Sequence, residues 1–109
     1  SIFTNKNLIP INTDNLPKTG FKIMFAGNIG TSQDFETILQ TATLLKNNKN
    51  IYFLILGDGL MKNSAQKYVA ENNLTQVLFL GRQPLDTMPA YYSLADAMLL
   101  TLKKILYLK

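Results

Sequence analysis

Phe21-Lys22-Ile23-Met24-Phe25-Ala26-Gly27-Asn28-Ile29-Gly30 decides the fold: a short apolar run that stops at a glycine. The run is rich in β-branched and aromatic residues, which reads as a buried strand. The glycine after it lets the backbone turn sharply or lets a ligand approach the main chain. The same text returns twice, as Ile51 to Leu56 before Gly57 and as Val77 to Leu80 before Gly81. In an open parallel sheet, ligands sit outside the carboxyl ends of the strands. Three glycines in that position predict one crevice lined by bare backbone.

Helical patterns separate the strands. After Gly30, the residues Phe35, Ile38, Leu39, Ala42 and Leu45 recur at the spacing of one apolar helix face. Thr31, Ser32 and Asp34 offer capping oxygens at its start, and Asn47-Asn48 marks its end. A second helix follows Gly57-Asp58-Gly59, with Met61, Ala65, Tyr68 and Val69 as its inner face, and fades at Asn72-Asn73. After the loop Gly81-Arg82-Gln83-Pro84, a short helix spans Met88 to Leu94, with Pro89 in its first turn. A fourth strand is expected over Ala97 to Leu102. The order β-α-β-α-β-α-β implies an α/β fold, a Rossmann-like parallel sheet with flanking helices. Residues 1–20 hold Pro10, Pro17 and Gly20 among many Asn and Thr and read as a linker leading into the first strand. The domain proper is 21–104, and residues 105–109 carry no assignment.

The 109 residues suffice for one domain with one core. Hydrophobic residues make up 47% and charged residues 17%, the balance of a globular chain rather than a disordered one. Neither a run of the length needed to span a bilayer nor the apolar core of a signal peptide is present. The first residue is not methionine, and the chain is expected to be a piece of a longer protein. Cysteine and histidine are both absent. That excludes disulfides, thiolate or imidazole zinc sites, Ser-His-Asp triads and Cys-His dyads. Lack of cysteine fits a cytoplasmic chain.

Net charge is +4, and it is unevenly placed. Residues 1–22 and 103–109 hold Lys6, Lys18, Lys22, Lys103, Lys104 and Lys109 against Asp14, leaving the centre near neutral. No basic stripe interleaved with aromatics occurs, so no nucleic-acid partner is expected. Basic ends suit either solvent or the anionic face of a membrane.

Gly27-Asn28-Ile29-Gly30 stands between a strand and a helix, where free backbone N–H groups favour an anion. It is neither the dinucleotide fingerprint nor a P-loop, and it reads equally as a tight turn. Asp34 and Glu36 near the start of the helix oppose a phosphate there, and residues 27–45 hold no Lys or Arg. Asp58 is expected to cap the second helix, the alternative being a hydrogen bond to a ribose or sugar hydroxyl. Arg82 and Gln83 could stack on or hydrogen-bond a base. Of Tyr91 and Tyr92, one packs inward and the other reaches the crevice rim. Asp96, before the fourth strand, reads as a cap or turn residue.

Taken together, five segments resemble the nucleotide-sugar-binding domain of bacterial GT-B glycosyltransferases, in particular the retaining group called family 4. They are Phe25 to Gly30, Ile55 to Gly59, Val77 to Gly81, Pro84 to Tyr92 and Leu94 to Leu100. The resemblance covers about residues 22–104, roughly half of that C-terminal domain. It implies sugar transfer from a nucleotide donor, a UDP-sugar, to a glycan or lipid-linked acceptor, with no metal. It places the donor diphosphate beside Gly27, Asn28, Ile29 and Gly30. Gly57, Asp58 and Gly59 would line the nucleotide side of the cleft, and Gly81, Arg82 and Gln83 would lie beside the base. Many members carry an Arg and a Lys where this chain has Asn28 and Gln33. The Gly-Asn-Ile-Gly form resembles the subgroup that moves N-acetylated amino sugars. The family's paired glutamates lie past the end of this sequence and its acceptor domain upstream, so no catalytic residue is assigned and the piece alone is expected to be inactive. The resemblance also implies a role in cell-surface polysaccharide synthesis, in the cytoplasm at the inner face of the membrane.

Two other readings remain open. One is a non-catalytic α/β module that binds a nucleotide or a partner. A phosphoreceiver form of it would need clustered acids after the first strand, where this chain has Gly-Asn. The other is part of a nucleotide-sugar epimerase, whose half-domain has a similar build.

Overall fold

The computed structural model describes residues 8–30, 33–100 and 105–108. Its elements run β1 (Phe21–Ala26), α1 (Gln33–Leu44), β2 (Ile51–Leu56), α2 (Lys62–Glu71), β3 (Val77–Gly81), a 3-10 turn (Leu85–Thr87), α3 (Met88–Leu94), β4 (Ala97–Leu100) and β5 (Ile105–Leu108). The expected caps Thr31 and Ser32, the end of the fourth strand at residues 101–102, and the lysines at 6, 103, 104 and 109 lie outside the described residues.

The sheet order is β3-β2-β1-β4-β5. β1 sits at the centre, parallel to β2 with Phe21 beside Ile51 and Ala26 beside Leu56, and parallel to β4 with Ile23 beside Ala97. β3 runs parallel to β2, with a register irregularity at Ile55/Leu56 that brings Leu56 beside Gly81. The parallel α/β reading therefore holds for the first four strands. β5 is a departure: it returns antiparallel to β4, pairing Leu100 with Ile105 and Ala97 with Leu108. The sheet thus continues past residue 104, and most of the unassigned tail is its edge strand.

Side chains of a strand alternate between its two faces, so each central strand feeds two cores. Phe25, Phe53, Ile55 and Val77 meet α1 and α2 through Phe35, Ile38, Ala42 and Ala65. Within that core Phe35 stands edge-on to Phe25, with ring centroids 5.2 Å apart at 69°. Met24, Leu54, Leu56 and Met98 face the other way, toward Tyr91 and Ala95. Ile11 packs onto this second core and Leu16 is buried, so the described part of the linker is fastened to the domain.

Long-range polar bonds tie the amino ends of the strands. Lys22 N–H donates to Asp96 Oδ2 at 2.8 Å, while Asp96 N–H donates to the Lys22 carbonyl at 2.8 Å. Asp96 is thus the turn residue that locks β4 to β1. Gln76, buried before β3, donates its amide to the carbonyls of Asn48 and Ile51, holding the loop that enters β2. α2 ends as its asparagines suggest, with Asn73 in the left-handed region at φ 56°. Met61 is the exception to the expected inner face of α2. It precedes the helix and is 38% exposed, while Ala65 alone of that set is fully buried.

Candidate functional site

A cleft of about 680 Å³ opens at the carboxyl ends of β1, β2 and β3. That volume is within the range of small-molecule sites, roughly 300–1,000 Å³. Its floor is backbone, from Ala26-Gly27-Asn28 on one strand and Leu56-Gly57-Asp58-Gly59 on the next. Arg82 and Gln83 stand on the β3 side. Leu85, Met88 and Tyr92 form an apolar wall from the 3-10 turn and α3.

Glycine is obligatory in this floor for a steric reason. Gly57 has φ +135°, and a Cβ there would drive into the Gly27 carbonyl oxygen. The ends of β1 and β2 are joined where Gly27 N–H donates to the Leu56 carbonyl at 3.1 Å, and on the other side Gly57 N–H ties the end of β2 to the Gly81 carbonyl at 2.9 Å. A side chain on Gly59 would likewise strike the Ile29 carbonyl and the Asn28 amide oxygen.

Seven of the ten residues expected at the site line the cleft: Gly27, Asn28, Gly57, Asp58, Gly59, Arg82 and Gln83. Three do not. Ile29 is fully buried and belongs to the core beneath α1 and α2. Gly30 opens instead on a groove of about 460 Å³ between α1 and α2. Gly81 contributes its carbonyl to Gly57 and turns the chain at φ +75° without lining the cleft.

Asp58 does not cap α2. That helix begins after Met61 with no side-chain cap, and the Asp58 Oδ1 accepts the Gly59 N–H at 2.8 Å. The chain needs Gly59-Leu60-Met61 to cross from the cleft floor to the helix, which puts Asp58 too early for a cap. The start of α2 is served from elsewhere: Met61 N–H donates to the Ile29 carbonyl at 2.9 Å.

Amides expected to be free for an anion are partly consumed. Gly27 N–H goes to Leu56 and Ile29 N–H to the Asp58 carbonyl at 2.9 Å, whereas those of Asn28 and Gly30 have no acceptor among the described residues. Charge is sparse. Asp58 and Arg82 are the charged residues among those lining the cleft. Glu36, expected to repel a phosphate, lines the α1–α2 groove instead. Gln83 is oriented by its amide nitrogen, which donates to the Leu80 carbonyl at 2.6 Å and leaves the amide oxygen for a ligand. Tyr92 is the member of the tyrosine pair at the cleft, and Tyr91 is buried, as expected of the pair. Burial raises the Tyr92 hydroxyl above the ordinary tyrosine pKa. Leu60, Leu85 and Met88 were not singled out by sequence; nothing in an apolar side chain within a loop or first helical turn marks it as a wall. Among the described residues, no three His, Cys, Asp or Glu side chains gather as a metal site, and no helix is long and apolar enough to cross a membrane.

A sheet of four parallel strands with an antiparallel edge, and a glycine-floored cleft at its strand ends, defines the class, a Rossmann-like α/β domain. The chain belongs to the family of glycosyl transferases group 1, whose model matches residues 11–104. It is 34% identical over 80 residues to a protein of Pseudomonas aeruginosa described as probable glycosyltransferase WbjE, covering 73% of this chain and 20% of that protein. The C-terminal domain of the glycosyl transferase group 1 family protein LpcC from Francisella tularensis superposes with a TM-score of 0.65 at 19% identity, over 73% of this chain and 46% of that one. A TarM variant of S. aureus, solved in complex with fondaparinux, α-GlcNAc-glycerol and UDP, superposes with a TM-score of 0.64 at 20% identity, over 84% and 19%. The chain therefore spans about a fifth of the length of the curated relatives it matches. Membership selects the glycosyltransferase family over the epimerase reading.

Proposed function

We propose that this chain is the donor-binding part of a retaining glycosyltransferase that uses a UDP-sugar, in particular an N-acetylated amino sugar, and passes it to a glycan or lipid-linked acceptor. The observation that carries the proposal is the cleft floor. Gly27, Gly57 and Gly59 present main chain, without side chains, to a space the size of a nucleotide. The family match supports glycosyl transfer, and the UDP and α-GlcNAc-glycerol named with TarM support the donor class. In this reading the diphosphate lies beside Gly27 and Asn28 and the base beside Arg82 and Gln83. The oxygen of the acceptor hydroxyl forms a bond to the anomeric carbon, whose bond to the diphosphate breaks. The hydroxyl proton leaves with the diphosphate or to solvent. Backbone donors facing the developing negative charge would stabilise it. This chain supplies no acid, base or nucleophile in the proposal, and alone it binds donor without turnover. The parent would work in the cytoplasm at the inner face of the membrane, with the lysines of residues 1–22 and 103–109 meeting anionic lipid. No metal takes part.

Titrating UDP into the ¹⁵N-labelled chain, with EDTA or with Mg²⁺, tests this. Amide shifts are expected at Asn28, Asp58 and Gln83, equal in the two conditions. No shift at these amides at millimolar UDP would refute donor binding; dependence on Mg²⁺ would refute the metal-free reading.

A further inference from the structure

Ile29 was expected at the ligand, yet its side chain never reaches the cleft. Three observations give it a different task. Its side chain is fully buried in the core formed by Phe25, Phe35 and Ile55. Both of its backbone polar groups cross to the neighbouring turn: the N–H reaches the Asp58 carbonyl at 2.9 Å, and the carbonyl accepts Met61 N–H at 2.9 Å. Gly59 lies so close under the Ile29 carbonyl that no Cβ fits between them.

We propose that Ile29 is a positioning residue that joins the two glycine turns into one rigid wall of the cleft. The side chain sets the depth of the first turn, because a well-packed core leaves it one position. Its backbone then straps residues 58–61 to that turn and supplies the acceptor that the start of α2 lacks in its own sequence. Asn28 and Gly30, on either side, are thereby held with their amides unspent among the described residues. A displacement of the turn by an ångström would misalign donors on both strands at once, and misplacement of that size costs binding and rate steeply.

The inference rests on the donor-binding reading, and its test has one arm that does not. In the unliganded chain, Ile29→Ala should speed amide hydrogen exchange at Ile29 and Met61 well beyond the change in the rest of the sheet. Ile38→Ala, a buried change in the same core but on α1 and away from both turns, should speed exchange only in step with global stability. In the ligand arm, Ile29→Ala should weaken UDP roughly tenfold or more. Ile38→Ala should leave the affinity of folded molecules unchanged, and Ile29→Val, which keeps the branch, should restore most of the affinity. Should Ile29→Ala fail to fold, Ile29→Val carries both arms, with a smaller shift in the same direction expected. Unchanged exchange at both amides, or full UDP affinity in an Ile29→Ala protein with loosened turns, would overturn the proposal. If the unaltered chain does not bind UDP, the donor reading fails, and the strap stands or falls on the exchange arm.

Discussion

Gly57→Ala and Gly81→Ala make the same chemical change at two left-handed glycines, and the structure predicts different costs. Gly57 has φ +135° and Gly81 φ +75°, so each alanine carries backbone strain of roughly 1–3 kcal/mol. At Gly81 nothing lies within 4 Å of the added methyl group, and strain is the whole cost. At Gly57 the methyl group meets the Gly27 carbonyl, which directly follows the central strand and cannot yield alone. Relieving that clash displaces the end of β2, which disturbs Gly27 N–H to Leu56 on one side and Gly57 N–H to Gly81 on the other. Those two bonds add about 1 kcal/mol each. Gly57→Ala should therefore cost about 3–5 kcal/mol, a large share of the roughly 5–15 kcal/mol by which a domain is stable. Urea unfolding followed by far-ultraviolet circular dichroism measures both variants on the 109-residue chain. The midpoint should fall much further for Gly57→Ala, with Tm lower by at least about 12 °C. Equal midpoints would refute the close approach of β1 and β2 at the cleft floor, and with it the reason for a glycine there.

Asp96→Ala removes the acceptor for Lys22 N–H and should cost about 1–3 kcal/mol, whereas Asp96→Asn keeps an oxygen there and should cost less; denaturant midpoints of the two decide it. Tyr92 has its folded pKa raised by burial above the unfolded value, so the stability it confers is complete below about pH 10 and is lost as pH rises through the folded pKa. Tm measured from pH 8 to 11 should therefore fall less steeply in Tyr92→Phe, and parallel curves would argue against a partly desolvated hydroxyl. Arg82→Ala should weaken uridine and UDP by the same factor, roughly fivefold, if the guanidinium stacks on the base. A loss confined to UDP would move Arg82 to the diphosphate.

The sheet was legible because its signal is local. β1 and β2 are each an apolar run ended by a glycine, and their bounds match the sequence expectation residue for residue. α1 was legible for the same reason, its apolar spacing burying Phe35, Ile38 and Ala42. β5 was not. Ile105-Leu-Tyr-Leu is too short to show a period, and residues 101–104 contain no Gly, Pro, Asn or Asp to announce a hairpin. Only its pairing with β4 makes it a strand.

The site divides along the same line. Residues whose part is to be small or polar at a strand end, such as Gly27, Gly57 and Arg82, could be assigned from position alone. Ile29 and Asp58 could not, because what settles each is a partner remote in sequence. An isoleucine between two glycines fits a ligand turn and a core plug equally well until the second turn is seen lying across it. Asp58 precedes a helix at a spacing that suits a cap, yet the chain needs three more residues to reach α2, and the Met61 N–H at its start is taken by the Ile29 carbonyl in the turn after β1. The two misreadings are thus one: each residue was read as serving its own segment, when Ile29 serves the segment that contains Asp58. A consequence follows for relatives of this chain. Where the residue just before the second glycine is small or polar, the strap on the β2–α2 turn loses its anchor in the core, and the helix should then carry a Ser, Thr, Asp or Asn at its own N-cap.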